Sequence, residues 1–312
     1  MCFDRTYPAA AIGEFAQRLE AGDVDQMWII EDCFYTAGIS LATMALARTE
    51  RLHIGIGILP AVARNPAITA MEFATLANLA PGRLIGGIGH GMQTWMEQMG
   101  ARTPSPLTTL DEVITVVRQL LRGDCITFDG RAVHLTDVQL DQPPAIVPPV
   151  LAGVRGAKSL ALAGRVADGV VLAEAAGAAY VRWAIEQAAA PGEFRVSVFS
   201  ALCIEHDREA AYGSMAPALA GWMASPNPAI DAHPHAEELK ARFADGGQAA
   251  LVSMPREWWL QLGAIGTFDD ACEHIQMLGE AGADDVALFP APEWEVGRAQ
   301  IDDVIRLAAA LT

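Results

Sequence analysis

Residues 52–91 read LHIGIGILPAVARNPAITAMEFATLANLAPGRLIGGIGHG, and their reading decides the fold. Residues 52–59 are a short apolar run stopped by Pro60, which fits a strand buried on both faces. Asn65-Pro66 then opens a helix, with proline in the first turn, where its missing N–H costs least. Ile68, Met71, Phe73, Ala74, Leu76 and Leu79 give that helix an apolar face. Pro81-Gly82 stops it, and residues 84–89 form a second apolar strand. Strand, helix and strand in so short a stretch make a βαβ unit, so the two strands run parallel.

The same alternation extends in both directions. Helices are predicted over 9–21, 39–48, 108–121, 157–164, 180–189, 268–281 and 301–311. Strands are predicted over 26–30, 150–152, 169–173, 196–204 and 286–289. Residues 126–140 alternate around Asp129-Gly130 and read as an excursion hairpin. With whatever residues 1–3 contribute, about eight parallel strands each followed by a helix predict an α/β fold, a (β/α)8 TIM barrel. It would be a single domain over 1–312, with an open doubly wound sheet as the alternative. Residues 224–259, with Pro226, Pro228 and Pro234, interrupt the rhythm. They read as an insertion at the C-terminal face of the strands, a lid over the site.

Of the 312 residues, 52% are hydrophobic and 19% charged, which excludes a disordered or fibrous chain. The formal net charge of -17 argues against nucleic-acid and membrane-surface partners, since phosphate backbones and anionic lipid would be repelled. A small anion, which feels local charge, is not excluded. The five cysteines, Cys2, Cys33, Cys125, Cys203 and Cys272, are scattered and odd in number, so neither a disulfide framework nor a zinc knuckle is expected. No stretch approaches the roughly 18 apolar residues of a membrane span. Residues 1–7 carry no apolar signal core. A soluble, cytoplasmic protein is expected.

Barrel chemistry sits at the C-terminal ends of the strands. Here those ends carry Asp4, Glu31 and Asp32, then Gly89, His90 and Gly91, then residues 153–156, Glu174, and Glu205 with His206. Gly55, Gly57, Gly86, Gly87, Gly89 and Gly91 crowd two adjacent strands. Glycine weakens strands, so the cluster reads as backbone approached by a flat ring system, with tight barrel packing as the alternative. A dinucleotide fingerprint is excluded by spacing. Gly153-Val154-Arg155-Gly156-Ala157-Lys158 follows a strand and opens a helix, which suits an anion. His90, Glu31, Asp32 and Glu174 are candidate acid–base groups. His233-Pro234-His235 looks like a metal-binding HxH but lies away from a strand end, so no metal is expected.

Taken in order, these segments resemble the bacterial luciferase-like superfamily, in particular its branch using the deazaflavin coenzyme F420. The carriers are Val24-Asp25-Gln26-Met27-Trp28 leading to Glu31-Asp32, Gly55-Ile56-Gly57-Ile58-Leu59-Pro60 with Arg64-Asn65-Pro66, and Ala74-Thr75-Leu76-Ala77 with Pro81-Gly82-Arg83. Gly87-Ile88-Gly89-His90-Gly91, the 153–158 turn, Leu162-Ala163-Gly164, Ala167-Asp168-Gly169 and Ala281-Gly282-Ala283-Asp284 complete the set. The resemblance implies a non-prolyl cis peptide at Gly57-Ile58 behind a flavin or deazaflavin ring. It also implies that Gly89, His90, Gly91 and Met92 border the ring, and that Gly153, Val154, Arg155 and Gly156 meet the cofactor phosphate.

Two departures stand out. Relatives often carry Asp-His where this chain has Glu31-Asp32, which leaves His90 as the nearby imidazole. Sugar-phosphate-oxidising relatives have glutamate where Met92 stands, which argues against that substrate. The resemblance implies an oxidoreductase that transfers a hydride between F420 and a small organic substrate, with the insertion covering it. The alternatives are an FMN monooxygenase using O2 and reduced flavin from a separate flavin reductase, and a non-catalytic flavin-binding protein. Many relatives form homodimers, so a homodimer is also an expectation.

Overall fold

The computed structural model describes residues 1–311. The first half contains β1 (Cys2–Phe3), α1 (Ile12–Ala21), β2 (Gln26–Ile29), α2 (Gly38–Arg48), β3 (His53–Pro60), α3 (Pro66–Leu79) and β4 (Leu84–Gly89). After them come α4 (Gln93–Gln98), α5 (Pro106–Leu121) and the antiparallel hairpin β5 (Ile126–Asp129) with β6 (His134–Val138). The rhythm resumes with β7 (Val150–Gly153), α6 (Ala157–Val166), β8 (Gly169–Leu172), α7 (Ala178–Ala188) and β9 (Arg195–Ile204). The last third holds α8 (Arg208–Met223), α9 (Pro228–Asp231), α10 (Ala236–Val252), α11 (Arg256–Trp259), β10 (Gly263–Gly266), α12 (Phe268–Glu280), β11 (Asp285–Phe289) and α13 (Trp294–Leu311).

Among the described residues, the parallel ladders run β1-β2-β3-β4-β7-β8-β9, the short β10 extends the end of β9 at Ala201–Ile204, and β11 pairs with Ser197–Ala201 of β9. β11 lies against β1, so eight strands curl into a TIM barrel and the doubly wound alternative falls. Side chains fasten this seam. The Tyr7 hydroxyl donates to the Ala291 carbonyl at 2.6 Å, and Thr6 donates to that of Pro292 at 2.8 Å. β1 has only two residues, yet it pairs in register with Trp28 and Ile29 of β2.

Local chemistry explains the helix starts. Asn65 caps α3 by accepting from the Ala67 N–H at 2.9 Å, with Pro66 in the first turn. α12 begins with a capping box in which Thr267 and Asp270 satisfy each other's backbone N–H. The helices' apolar faces and the strands' outer faces share one large core. The barrel interior is a separate cluster that includes Cys2, Trp28, Ile85, Leu151, Phe199 and Ala287.

Three readings need correction. α13 begins at Trp294 rather than at residue 301, and Trp294 packs edge-on to Tyr7 at 5.1 Å. α8 and the short strand β10 were not foreseen. α8 contains Gly213, Pro217 and Gly221, weak helix formers that blur its pattern, but Ala211, Tyr212, Ala216 and Leu219 bury one side of it. Residues 224–259 are mostly helical, and their apolar side chains join α8 and β10 in a second core. Among the described residues, none from 224–259 lines the cavity described below.

Candidate functional site

The C-terminal ends of the barrel strands open on a cavity of about 610 Å³. Small-molecule and cofactor sites have volumes of roughly 300–1,000 Å³. The floor is aromatic: Phe199 of β9 and Phe289 of β11 sit 5.5 Å apart, and Trp28 meets Phe199 edge-on at 5.1 Å. One wall is largely backbone. β3 bulges between Ile56 and Leu59 against β4, the Gly57-Ile58 peptide is cis, and both residues line the cavity. The Ile58 side chain rests on neighbouring strands, where a Cβ on Gly89 or Gly153 would come within 3.0 or 2.5 Å of it.

Most of the glycine cluster makes room for the protein's own atoms. A Cβ at Gly55 would lie 2.3 Å from the Trp28 ring, and one at Gly86 2.5 Å from Phe73. At Gly87 it would meet the Ile56 carbonyl oxygen at 2.3 Å. Of the six glycines only Gly57 and Gly91 line the cavity, so Gly89 belongs to the packing behind it. The other candidate residues, Glu31, Asp32, Ile58, His90, Met92, Gly153, Val154, Arg155, Gly156 and Glu174, all line it.

The titratable groups differ in how well they are satisfied. Glu31 is fully engaged: Arg64 donates to both oxygens at 2.6 and 2.9 Å, and the Gly38 N–H donates at 2.7 Å. That geometry fixes the start of α2 and leaves Glu31 little freedom as an acid or base. Asp32 pairs with Arg5, whose guanidinium lies 4.7 Å from the Tyr35 ring and 5.9 Å from the Trp95 ring at the mouth. Burial raises the Asp32 carboxyl above its ordinary value, against the pull of Arg5. His90 shares a hydrogen bond with Ser159 at 3.0 Å, and burial lowers its pKa, which favours the neutral imidazole.

Glu174 follows β8, with its side chain 19% exposed. Arg155 Nη2 lies 4.0 Å from its Oε2, at the outer limit of an ion pair. Burial raises the Glu174 carboxyl, its own backbone N–H and then Arg155 oppose this, and Asp32 and Asp4 add to it. Arg155 immediately precedes Gly156, the N-cap of α6, and its carbonyl is held by the Tyr180 hydroxyl at 2.8 Å. No side chain caps that helix, so its first N–H groups and Arg155 together suit an anion.

Sequence reasoning missed Arg5, Trp95, Ser159, Phe199 and Phe289, and it noted Asp4 without giving it a role. Asp4 and Arg5 follow a strand too short to announce itself, and the two phenylalanines look like ordinary strand interior. His233 and His235 are used locally. His233 contacts the Trp258 carbonyl at 3.1 Å and accepts from the His235 N–H, while the His235 ring stacks on Trp258 at 4.9 Å. Among the described residues no His, Cys, Asp and Glu cluster could hold a metal ion.

The family model for luciferase-like monooxygenases matches residues 4–285. The chain belongs to that family. Among relatives of this luciferase-like protein, a 5,10-methylenetetrahydromethanopterin reductase of Methanolobus tindarius is 29% identical over 252 residues, 78% of this chain and 76% of that one. An F420-dependent glucose-6-phosphate dehydrogenase of Microbacterium testaceum is 33% identical over 129 residues, 40% of this chain and 38% of that one. In fold, this luciferase-like chain is similar to the coenzyme F420 dependent tetrahydromethanopterin reductase of Methanopyrus kandleri. The TM-score is 0.81 at 20% identity, over 100% of this chain and 98% of that one.

Proposed function

We propose that this luciferase-like protein is an oxidoreductase that transfers a hydride between coenzyme F420 and a small organic substrate. The observation that carries the reading is the cavity's division into two parts. A backbone wall at Gly57-Ile58 over an aromatic floor suits a flat ring system, and Arg155 with the free start of α6 suits a phosphate. The reductase and dehydrogenase relatives support the same class of chemistry. Bound there, a deazaflavin supplies a carbon centre that gives or takes a hydride. The chain's own residues do the rest. Residues 57–58 and 91–92 border the ring, and Phe199 and Phe289 exclude water beneath it. Neutral His90 and the half-buried Asp32 and Glu174 hold the protons that the substrate gains or loses.

Residues 224–259 act as a lid only if they move, because the cavity is lined without them. Dimerisation belongs to the same reading. α2 and α3 pack side by side and expose Met44, Ile68 and Met71 on faces whose charged residues are Arg48 at one end and the half-buried Glu72. A nearly charge-free surface is where two copies that each carry -17 could meet with least repulsion. A cytoplasmic location, expected from the cysteine usage, completes the reading.

Paired titrations of the purified protein with F420 and with FMN test the cofactor assignment. Tight binding of F420 alone, followed by turnover on alcohols, imines or enones, is expected. Tight binding of FMN alone, with O2 consumed when reduced flavin is supplied, would replace this reading with the monooxygenase. Binding of F420 without turnover across those acceptors would leave a cofactor-binding protein.

A further inference from the structure

The cavity holds an unequal set of charges. Asp4, Glu31, Asp32 and Glu174 face it, against Arg5 and Arg155. Glu31 is satisfied by Arg64 from outside the cavity, and Asp32 is paired with Arg5. Among the described residues, Glu174 has one cation in ion-pair range, Arg155, and that contact is a loose 4.0 Å. Arg155 is 47% exposed and borders the start of α6, so it can turn toward an incoming anion, whereas the Glu174 side chain is only 19% exposed.

We propose that Arg155 couples cofactor binding to proton loading: the anionic phosphate takes Arg155 as its partner, and Glu174, losing its counter-ion, takes up a proton from solvent. The inference rests on the cofactor reading above and adds what the phosphate does to the reacting end of the cavity. Every other charged or titratable group around Glu174 leaves it short of positive charge. Asp4 and Asp32 repel its carboxylate, Arg5 is occupied by Asp32, His90 is neutral, and the Cys2 thiol below is buried and protonated. An anion on Arg155 therefore removes the one positive charge in ion-pair range that favours the ionised Glu174, and leaves the carboxylate with only its own backbone N–H against burial and the two acids. The bound state then contains a carboxylic acid able to donate a proton as a substrate accepts a hydride. In this scheme Arg155 is a positioning residue.

Proton uptake tests the coupling without turnover. F420 binding is followed by calorimetry in buffers of different ionisation enthalpy near pH 7, for the wild type, Glu174→Gln and Arg155→Gln. The wild type should take up more protons than Glu174→Gln, by at most about one per site, and this comparison cancels the ligand's own ionisation. Arg155→Gln should bind more weakly and lose the excess uptake, and Arg155→Lys should recover part of it. An infrared band of a protonated carboxyl should grow on binding in the wild type and be absent from Glu174→Gln. Should that variant misfold, growth of the band on binding in the wild type, and a band already present before binding in Arg155→Gln, still decide the matter. Tight binding with equal proton counts in the wild type and Glu174→Gln overturns the coupling and leaves the cofactor reading intact. Failure of F420 to bind the folded wild type overturns both.

Discussion

Two carboxylates beside arginines show how differently one fold treats the same chemistry. Asp270, at the start of α12, is 0% exposed and receives hydrogen bonds from Arg208 at 2.8 and 3.1 Å, from Arg256 at 2.6 Å, and from Thr267. Burial would raise its carboxyl, but those donors hold it well below the usual carboxylate range. Glu174 has one arginine at 4.0 Å and two acids nearby, and its carboxyl is pushed up instead. A carboxylate with all its donors in place is a structural member. One left short of donors stays ready to change its protonation state.

The largest expected effect comes from breaking the saturated site. Asp270→Ala leaves Arg208 and Arg256 without their shared partner and should cost about 3 kcal/mol, read as a fall in the denaturant midpoint. Cofactor affinity in the folded fraction should be unchanged; a matching loss of affinity would blur the distinction between the two sites.

His274, on the same helix, extends the saturated case to a base. Its Nδ1 donates to the Leu260 carbonyl at 2.7 Å and its Nε2 accepts from the Ser200 hydroxyl at 2.8 Å. Burial lowers its pKa to about 4, against the Leu260 carbonyl. The unfolded chain therefore binds the proton more readily, with an ordinary value of 6.5. The stability held by the neutral ring is fully present above pH 6.5 and is lost as pH falls from there toward about 4, on the order of 3 kcal/mol in all. His274→Gln should flatten that part of the stability–pH curve. An unchanged slope would move the acid sensitivity to another group.

Glu174→Gln should act with the opposite sign to Asp270→Ala. Removing a carboxylate whose charged form burial disfavours should raise the melting temperature near neutral pH, while turnover falls by roughly 100-fold. In the wild type, turnover that consumes this proton should decline as pH rises through the raised Glu174 value. A melting temperature that drops in Glu174→Gln would show that the site is saturated after all. The smallest effect is expected at the surface, where Arg102 and Glu97 pair at 3.3 Å with both side chains two-thirds exposed. Arg102→Gln should change stability by no more than about 0.5 kcal/mol and leave binding alone.

Much of the site was legible because barrel strand ends collect chemistry at one face. Once the strands are placed, Glu31, Asp32, His90, Arg155 and Glu174 must converge, and the structure brings them to one cavity. What could not be read was how each is satisfied. Arg64 claims Glu31 from the loop after β3, and Ser159 reaches His90 from α6, sixty-nine positions along the chain. No local pattern encodes partners so distant. What surrounds the glycines was hidden for the same reason, because Trp28 and Phe73 fill the space above Gly55 and Gly86 from other elements.

The sequence by itself determined the strand–helix alternation, the parallel sheet and the hairpin, because periodicity, prolines and glycine turns are local signals. The tertiary structure decided the rest. It made a strand of Cys2–Phe3 by pairing it with β2, and it kept α8 helical through burial despite Pro217. It packed the apolar side chains of residues 224–259 with α8 and β10 into a second core. It also separated the occupied Glu31 from the under-satisfied Glu174, since a carboxylate's chemistry depends on which donors the fold brings within hydrogen-bond reach.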